Sequence, residues 1–310
     1  MRSIVLTCAA LASALAAVPA RAEVLQVFGL MPARNDDVAA LHSLVVDGFG
    51  GSEGPALTIR IEDLLRGLSV DGSPYFRVLP APTASGGDAL LRGPADAGMQ
   101  FQLYTEKREQ CAEKDSDGKC LRKEQREVKC SKRRITLDIA MRMVRPDGTL
   151  IYSDDSPESV EDSSCEGDEN QPRSRSDVVR GLVARVAGRL PAEFVPRHTD
   201  AQIRVDESRK GLAKPDADRF KQAVRLTKTD PRAACELWSE LGEANPGHVP
   251  TLFNLGLCAE SRGVDGEDEA HRRYRRVQEL APHYAAAQAG IDRIMRSTRA
   301  RLQLAAHNRG

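Results

Sequence analysis

Aromatic side chains are scarce in this sequence: they make up 4% of its residues, with a single tryptophan. That scarcity disfavours the stacking platforms on which single-stranded nucleic acid and sugar rings are held. Net charge is missing too, because 45 basic residues cancel 45 acidic ones. No global field therefore draws the chain to nucleic acid or to an anionic bilayer. After the first 22 residues no segment is apolar enough to cross a membrane, which needs roughly 20 apolar residues in succession. Stable membrane insertion is not expected.

The motifs of common site chemistry are missing as well. No Cys-x-x-Cys pair occurs, and zinc sites built on cysteine need such closely spaced ligands. His42, His198, His248, His271, His283 and His307 are scattered without a His-x-x-x-His pair, so nothing in the sequence points to a metal. The run Gly48-Phe49-Gly50-Gly51 lacks the Gly-Lys-Ser/Thr ending of a phosphate loop, and Glu53 stands where a dinucleotide fingerprint has its last glycine. We read it as a turn, and neither phosphate-loop nor serine-hydrolase chemistry is expected. The sequence implies no cofactor and no catalytic residue.

What is present begins with the leader. Met1-Arg2 opens into an apolar run from Ile4 to Val18, followed by Ala20-Arg21-Ala22. Small residues at the two positions read by a signal peptidase predict a secretory signal peptide over 1–22, cleaved after Ala22. Cys8 lies too early in the run to serve as a lipid anchor. The expected destination is the periplasm.

Six cysteines then remain, an even number that favours disulfides in an exported chain. Cys130 and Cys165 lie almost equidistant from the turn signal Pro146-Asp147-Gly148, so a hairpin there would oppose them. Cys235 and Cys258 are placed in the same way about Asn245-Pro246-Gly247, and Cys111 and Cys120 enclose a short polar loop. Three bridges, Cys111–Cys120, Cys130–Cys165 and Cys235–Cys258, are expected.

Periodicity divides the remainder. Leu44-Val45-Val46 reads as a buried strand, and Leu57, Ile61, Leu64, Leu65 and Leu68 as one face of a helix. Tyr75 to Leu79 and Gly98 to Thr105 read as further strands. Ile135, Leu137, Ile139, Met141 and Met143 alternate along a long strand that Pro146-Asp147-Gly148 turns back into a hairpin. The charged stretch between Cys111 and Lys132 and the acidic stretch from Asp154 to Ser176 read as solvated loops, whose opposite charges compensate each other. Val179, Leu182, Val183, Val186 and Leu190 form another helical stripe, with Ser176 as a candidate cap.

An α+β domain over 23–196 is therefore expected, a mixed sheet with a long β-hairpin and covering helices. A linker over 197–214 and an all-α helical-repeat domain over 215–304 follow. In the last of these, Ala234, Trp238, Leu241 and Pro246 recur as Ala270, Tyr274, Val277 and Pro282, each displaced by 36 residues.

That second half resembles the tetratricopeptide repeat, whose helix pairs recur about every 34 residues. Ala270, Tyr274 and Pro282 match its small residue, its aromatic and its terminating proline, while Leu255-Gly256 and Gly263 match its first helix and turn. The resemblance implies a concave surface for extended partners, with Asn254, Leu252, Leu255 and Glu260 as candidate partner-binding residues. Leu252 and Leu255 also read as core. The first half resembles, more loosely, the envelope family of the curli-secretion lipoprotein and the activators of penicillin-binding proteins. Asp47 with Phe49, Tyr75 to Val78, Ala95-Asp96-Ala97 and Asp147-Gly148 carry that likeness, in the family's order.

The function expected is a non-enzymatic periplasmic scaffold or assembly factor, binding an envelope protein or peptide through the repeats and the α+β domain. One alternative is an enzyme or regulator of cell-wall synthesis with a site near Asp47 and Asp96, where the plainer reading of both residues is strand-end turns. The other is a self-associating structural protein.

Overall fold

The chain is described from a computed structural model that covers residues 23–81, 86–168 and 172–309. The expected signal peptide, with Cys8, lies outside the described residues. An α+β fold comes first and a helical region after it.

In chain order the first elements are β1 (Val24–Met31), α1 (Asp36–Ala39), β2 (Ser43–Val46) and α2 (Gly54–Gly67). Next come β3 (Ser69–Val70), β4 (Ser73–Pro74), β5 (Arg77–Leu79) and β6 (Ala89–Arg92), then the long strands β7 (Ala95–Lys114) and β8 (Cys120–Ile139). The α+β part closes with β9 (Met141–Val144), β10 (Leu150–Asp154), β11 (Glu158–Cys165) and α3 (Arg175–Phe194). After β12 (Arg197–Arg204) the chain is helical: α4 (Lys214–Leu226), α5 (Pro231–Ala244), α6 (Val249–Glu260), α7 (Glu267–Leu280) and α8 (Ala285–His307).

Two sheets share the α+β core. One runs β10-β9-β6-β2-β5 and the other β11-β8-β7. The alternating strand predicted over Ile135–Met143 supplies both, because it breaks at Ala140 into β8 and β9. A Cβ on Gly93 would lie 1.9 Å from the Ala140 carbonyl oxygen. Glycine is needed where the chain crosses so close. Ile135, Leu137, Ile139, Met141 and Met143 are all buried, against Leu57, Ile61 and Leu65 of α2 and Val179, Leu182, Val186 and Leu190 of α3. The cap of α3 is Ser174, which accepts from the Asp177 amide, and Ser176 sits inside the first turn.

The charged stretch after Cys111 is no loop. β7 and β8 pair without interruption from Ala95↔Ile139 to Cys111↔Lys123, forming a ribbon closed by a turn at Asp115–Lys119 in which Gly118 takes a positive φ of 82°. The expected acidic loop is also a strand, β11, whose Glu161 and Asp162 lie opposite Arg134 and Arg133 of β8. Few apolar residues alternate along these strands, since only Val128, Cys130, Val160 and Cys165 turn inward, which is why these segments read as loops.

By contacts the chain divides into two units. One joins the described residues up to Phe28 with Asp200–Asp292, and the other joins Gly29–Thr199 with the residues from Arg293 onward. The expected linker 197–214 is partly a strand, since β12 pairs with β1. Its residues are largely exposed, so its composition resembles a linker. The second half of the last helix belongs to the α+β unit. There Ser297 Oγ accepts from the Leu30 amide, Gln303 exchanges two hydrogen bonds with the Ala33 backbone, and Arg299 pairs with Asp36.

Candidate interaction surface

The six cysteines form three disulfides, Cys111–Cys120 near the ribbon tip, Cys130–Cys165 between β8 and β11, and Cys235–Cys258 between α5 and α6. These are the pairs that symmetry about the turns suggests. Asp168 supports the second bridge: the Cys165 amide and the Arg108 guanidinium both bond its carboxylate, and both hold its pKa below the usual range. Glu106 lies beside the Cys130 and Cys165 sulfurs in a cluster of metal-ligand type. Both sulfurs are taken up in the bridge, and a thiolate is what a metal requires.

In the helical unit every residue from Thr251 to Glu260 is buried. The four candidate partner-binding residues are therefore internal, which corrects the expectation for Asn254 and Glu260 and agrees with the core reading of Leu252 and Leu255. Asn254 is fully buried and grips the chain itself: its Nδ2 donates to the Asp206 carbonyl at 2.9 Å and its Oδ1 accepts from the Asp206 amide at 2.8 Å. Glu260 accepts from the Tyr274 hydroxyl, and Leu252 and Leu255 pack in the core. A signal for this was available, because α6 carries no charge before its last residue, the pattern of a helix covered all round. The recurring positions Ala234, Trp238, Leu241, Ala270, Tyr274 and Val277 are all buried.

The turn residues of the first half are also accounted for. The Asp96 carboxylate accepts from the Ser52 amide and so caps the loop Gly50–Glu53. That loop contains Gly50-Gly51-Ser52-Glu53-Gly54, which does fit the serine-hydrolase pattern Gly-x-Ser-x-Gly between a strand and a helix, contrary to the expectation above. The Ser52 hydroxyl accepts from the Ala97 amide, and no histidine bonds it among the described residues. The base that would activate a serine nucleophile is not in place.

One open strand edge among the described residues lies on β7, the terminal strand of the three-stranded sheet. At its start the outer edge is covered: Ala95 bonds Gly50 and Glu53, and Ala97 donates to Ser52 Oγ and accepts from Arg175. Antiparallel pairing alternates between groups that face the partner strand and groups that face away. The covered outward groups are those of Ala95 and Ala97, so those of Met99, Phe101 and Leu103 also face outward. No hydrogen-bond partner meets them among the described residues. Their side chains share one face and are 41%, 62% and 81% exposed. From Met99 to Thr105 the edge has no charge, whereas Glu106-Lys107-Arg108-Glu109 follows directly. Charges of that kind are how natural sheets guard an edge against pairing, and the stretch before them is unguarded.

Beside this edge, α2 and α3 enclose a groove of about 730 Å³. Ala56, Ile59, Val179 and Val183 supply its apolar floor, and Glu53, Arg60, Arg175 and Arg180 its charged rim. Arg175 belongs to both features, since it bonds the Ala97 carbonyl and approaches Glu53 at 3.8 Å. Across the ribbon, Lys132 and Arg134 bond Glu161 and lower its pKa, and Arg133 pairs with Asp162 through two hydrogen bonds. The basic run is neutralised within the fold.

No family model matches the chain, and no curated protein does. Among solved structures, a single-site variant of the PelC dodecamer from Paraburkholderia phytofirmans aligns at 17% identity, over 55% of this chain and 97% of that one, with a TM-score of 0.23. A second PelC dodecamer from the same organism aligns at 16% identity, over 53% and 94%, with a TM-score of 0.21. A neuraminyllactose-binding hemagglutinin homolog from Helicobacter pylori aligns at 11% identity, over 69% and 93%, with a TM-score of 0.22.

Proposed function

We propose that the chain is a non-enzymatic scaffold or assembly factor of the bacterial periplasm that holds another envelope protein against its α+β unit. The observation that carries this reading is the apolar groove between α2 and α3, whose exposed Ile59 lies on a surface otherwise rich in charge. A concave, mostly apolar recess with a few charged groups at its rim suits a protein segment that buries one or two anchor side chains. Three disulfides support the exported part of the reading, because such bridges persist in oxidising compartments. No helix among the described residues is long and apolar enough to cross a membrane. The repeat-like helices serve this reading as a support rather than as the docking face, since the inner residues of α6 are spent within the chain.

The test is a photo-crosslinking amino acid at Ile59, introduced in intact cells, followed by identification of what is captured. Capture of one envelope protein, lost when the same probe is carried by an Ala56→Asp variant of unchanged thermal stability, supports the scaffold; Ala56 is exposed and lines the same groove. Capture of nothing, or of the chain alone, refutes it.

A further inference from the structure

We propose that Met99–Leu103 is a self-association edge, on which β7 pairs antiparallel with β7 of a second copy about a two-fold axis through Phe101. The inference does not depend on the scaffold reading, which concerns a different surface.

Met99-Gln100-Phe101-Gln102-Leu103 reads the same in both directions by residue character: apolar, amide, apolar, amide, apolar. A two-fold interface brings one patch against itself, so a patch that is palindromic is self-complementary. With the axis at Phe101, Met99 faces Leu103 of the second copy, Gln100 faces its Gln102, and the two Phe101 rings are neighbours. No like charges meet. The outward amides and carbonyls at 99, 101 and 103 are then satisfied in pairs, and the three apolar side chains of each copy lie on one face of a continuous six-stranded sheet.

Neighbouring registers fail for reasons visible in the fold. A shift that centres the pair on Met99 brings Phe101 and Leu103 against Ala97 and Ala95, whose outward groups already bond Ser52, Arg175, Gly50 and Glu53. Centring on Leu103 sets Met99 against Lys107 and Phe101 against Thr105. A one-residue slip reverses the outward and inward faces altogether. In the Phe101 register the pairing stops by itself after five residues, because Thr105 arrives opposite the covered Ala97. The loop Gly50–Glu53 and Arg175 thus act as an end stop, and the charged run after Thr105 guards the rest of the edge.

A contact of this length is smaller than a standard stable interface of about 800 Å² per partner, so the dimer is expected with a Kd on the order of tens of micromolar. The experiment is sedimentation velocity on the purified mature chain with its disulfides intact, over roughly 1 to 300 µM to bracket that affinity. The wild type should pass from monomer to dimer across this range. Phe101→Lys, which sets two lysines face to face at the axis, should weaken the dimer at least about tenfold. Leu121→Lys, at another exposed ribbon position, should leave it unchanged. Circular dichroism and the thermal midpoint establish that both variants are folded. A wild type that stays monomeric overturns the proposal, as does a dimer indifferent to Phe101→Lys or equally sensitive to Leu121→Lys.

Discussion

Replacing Asn254 by alanine tests the unexpected role found for that residue. Its side chain holds both backbone groups of Asp206, 48 residues away in sequence, and its amide is fully buried. In the alanine variant the Asp206 N–H and C=O lose their partners together. An unsatisfied buried polar group costs about 1–3 kcal/mol. Two such groups, with some entry of water into the space left by the amide, give an expected loss of about 2–4 kcal/mol. The single tryptophan, Trp238, lies buried in α5, so its fluorescence during urea unfolding reports on the helical unit alone. Hydrogen exchange provides the local readout, because the Asp206 amide, in the segment between β12 and α4, should lose its protection even where α6 keeps its own. A loss below about 0.5 kcal/mol, with the Asp206 amide still protected, would refute the reasoning and return Asn254 to the pool of partner-binding candidates.

Two further predictions concern packing and pH. A Cβ on Gly256 would lie 2.4 Å from one edge of the Tyr274 ring and a Cβ on Gly290 2.4 Å from the other, so the ring cannot yield to either. Gly256→Ala and Gly290→Ala should each destabilise the helical unit by about 1–3 kcal/mol in the same unfolding assay, and a neutral result would show that the ring has room. Burial is the largest cause lowering the pKa of both His248 and His307, the second stacked between His42 and Tyr75. The folded state then favours neutral imidazole, and its stabilising effect is present above the unfolded pKa of about 6.5 and lost as pH falls through the interval below it. Stability should decline from pH 7 toward 5, before Asp36, Asp88 and Glu269 begin to titrate, since their pKa values are lowered. His248→Gln and His307→Gln should each flatten that decline, and an unchanged slope in both would assign it elsewhere.

The legible parts of the fold were those governed by burial on one side. Leu57, Ile61 and Leu65, or Ile135, Leu137 and Ile139, repeat at the period of their element because water lies on one face and core on the other. The ribbon between Cys111 and Lys132 escaped because nearly all of it is exposed on both faces, with only Val128 and Cys130 buried. One local signal was there to be used, the Asp117-Gly118 pair lying between two cysteines, which is hairpin chemistry. The expected partner-binding residues failed for the opposite reason. α6 is covered on every side, and a repeat pattern cannot say which helix faces outward when the chain's own Asp206 occupies the space.

The sequence by itself determined the two element classes, the composition of the cores and the cysteine partners, since each follows from periodicity or from symmetry about a turn. Tertiary structure alone decided which edge stays open and which polar groups are spent internally. The outer edge of β7 is closed at Ala97 and open at Met99 only because Ser52 and Arg175, from distant parts of the chain, arrive at one position and not at the next. Hydrogen-bond satisfaction depends on what comes within about 3 Å in space, and separation along the chain carries no information about that distance.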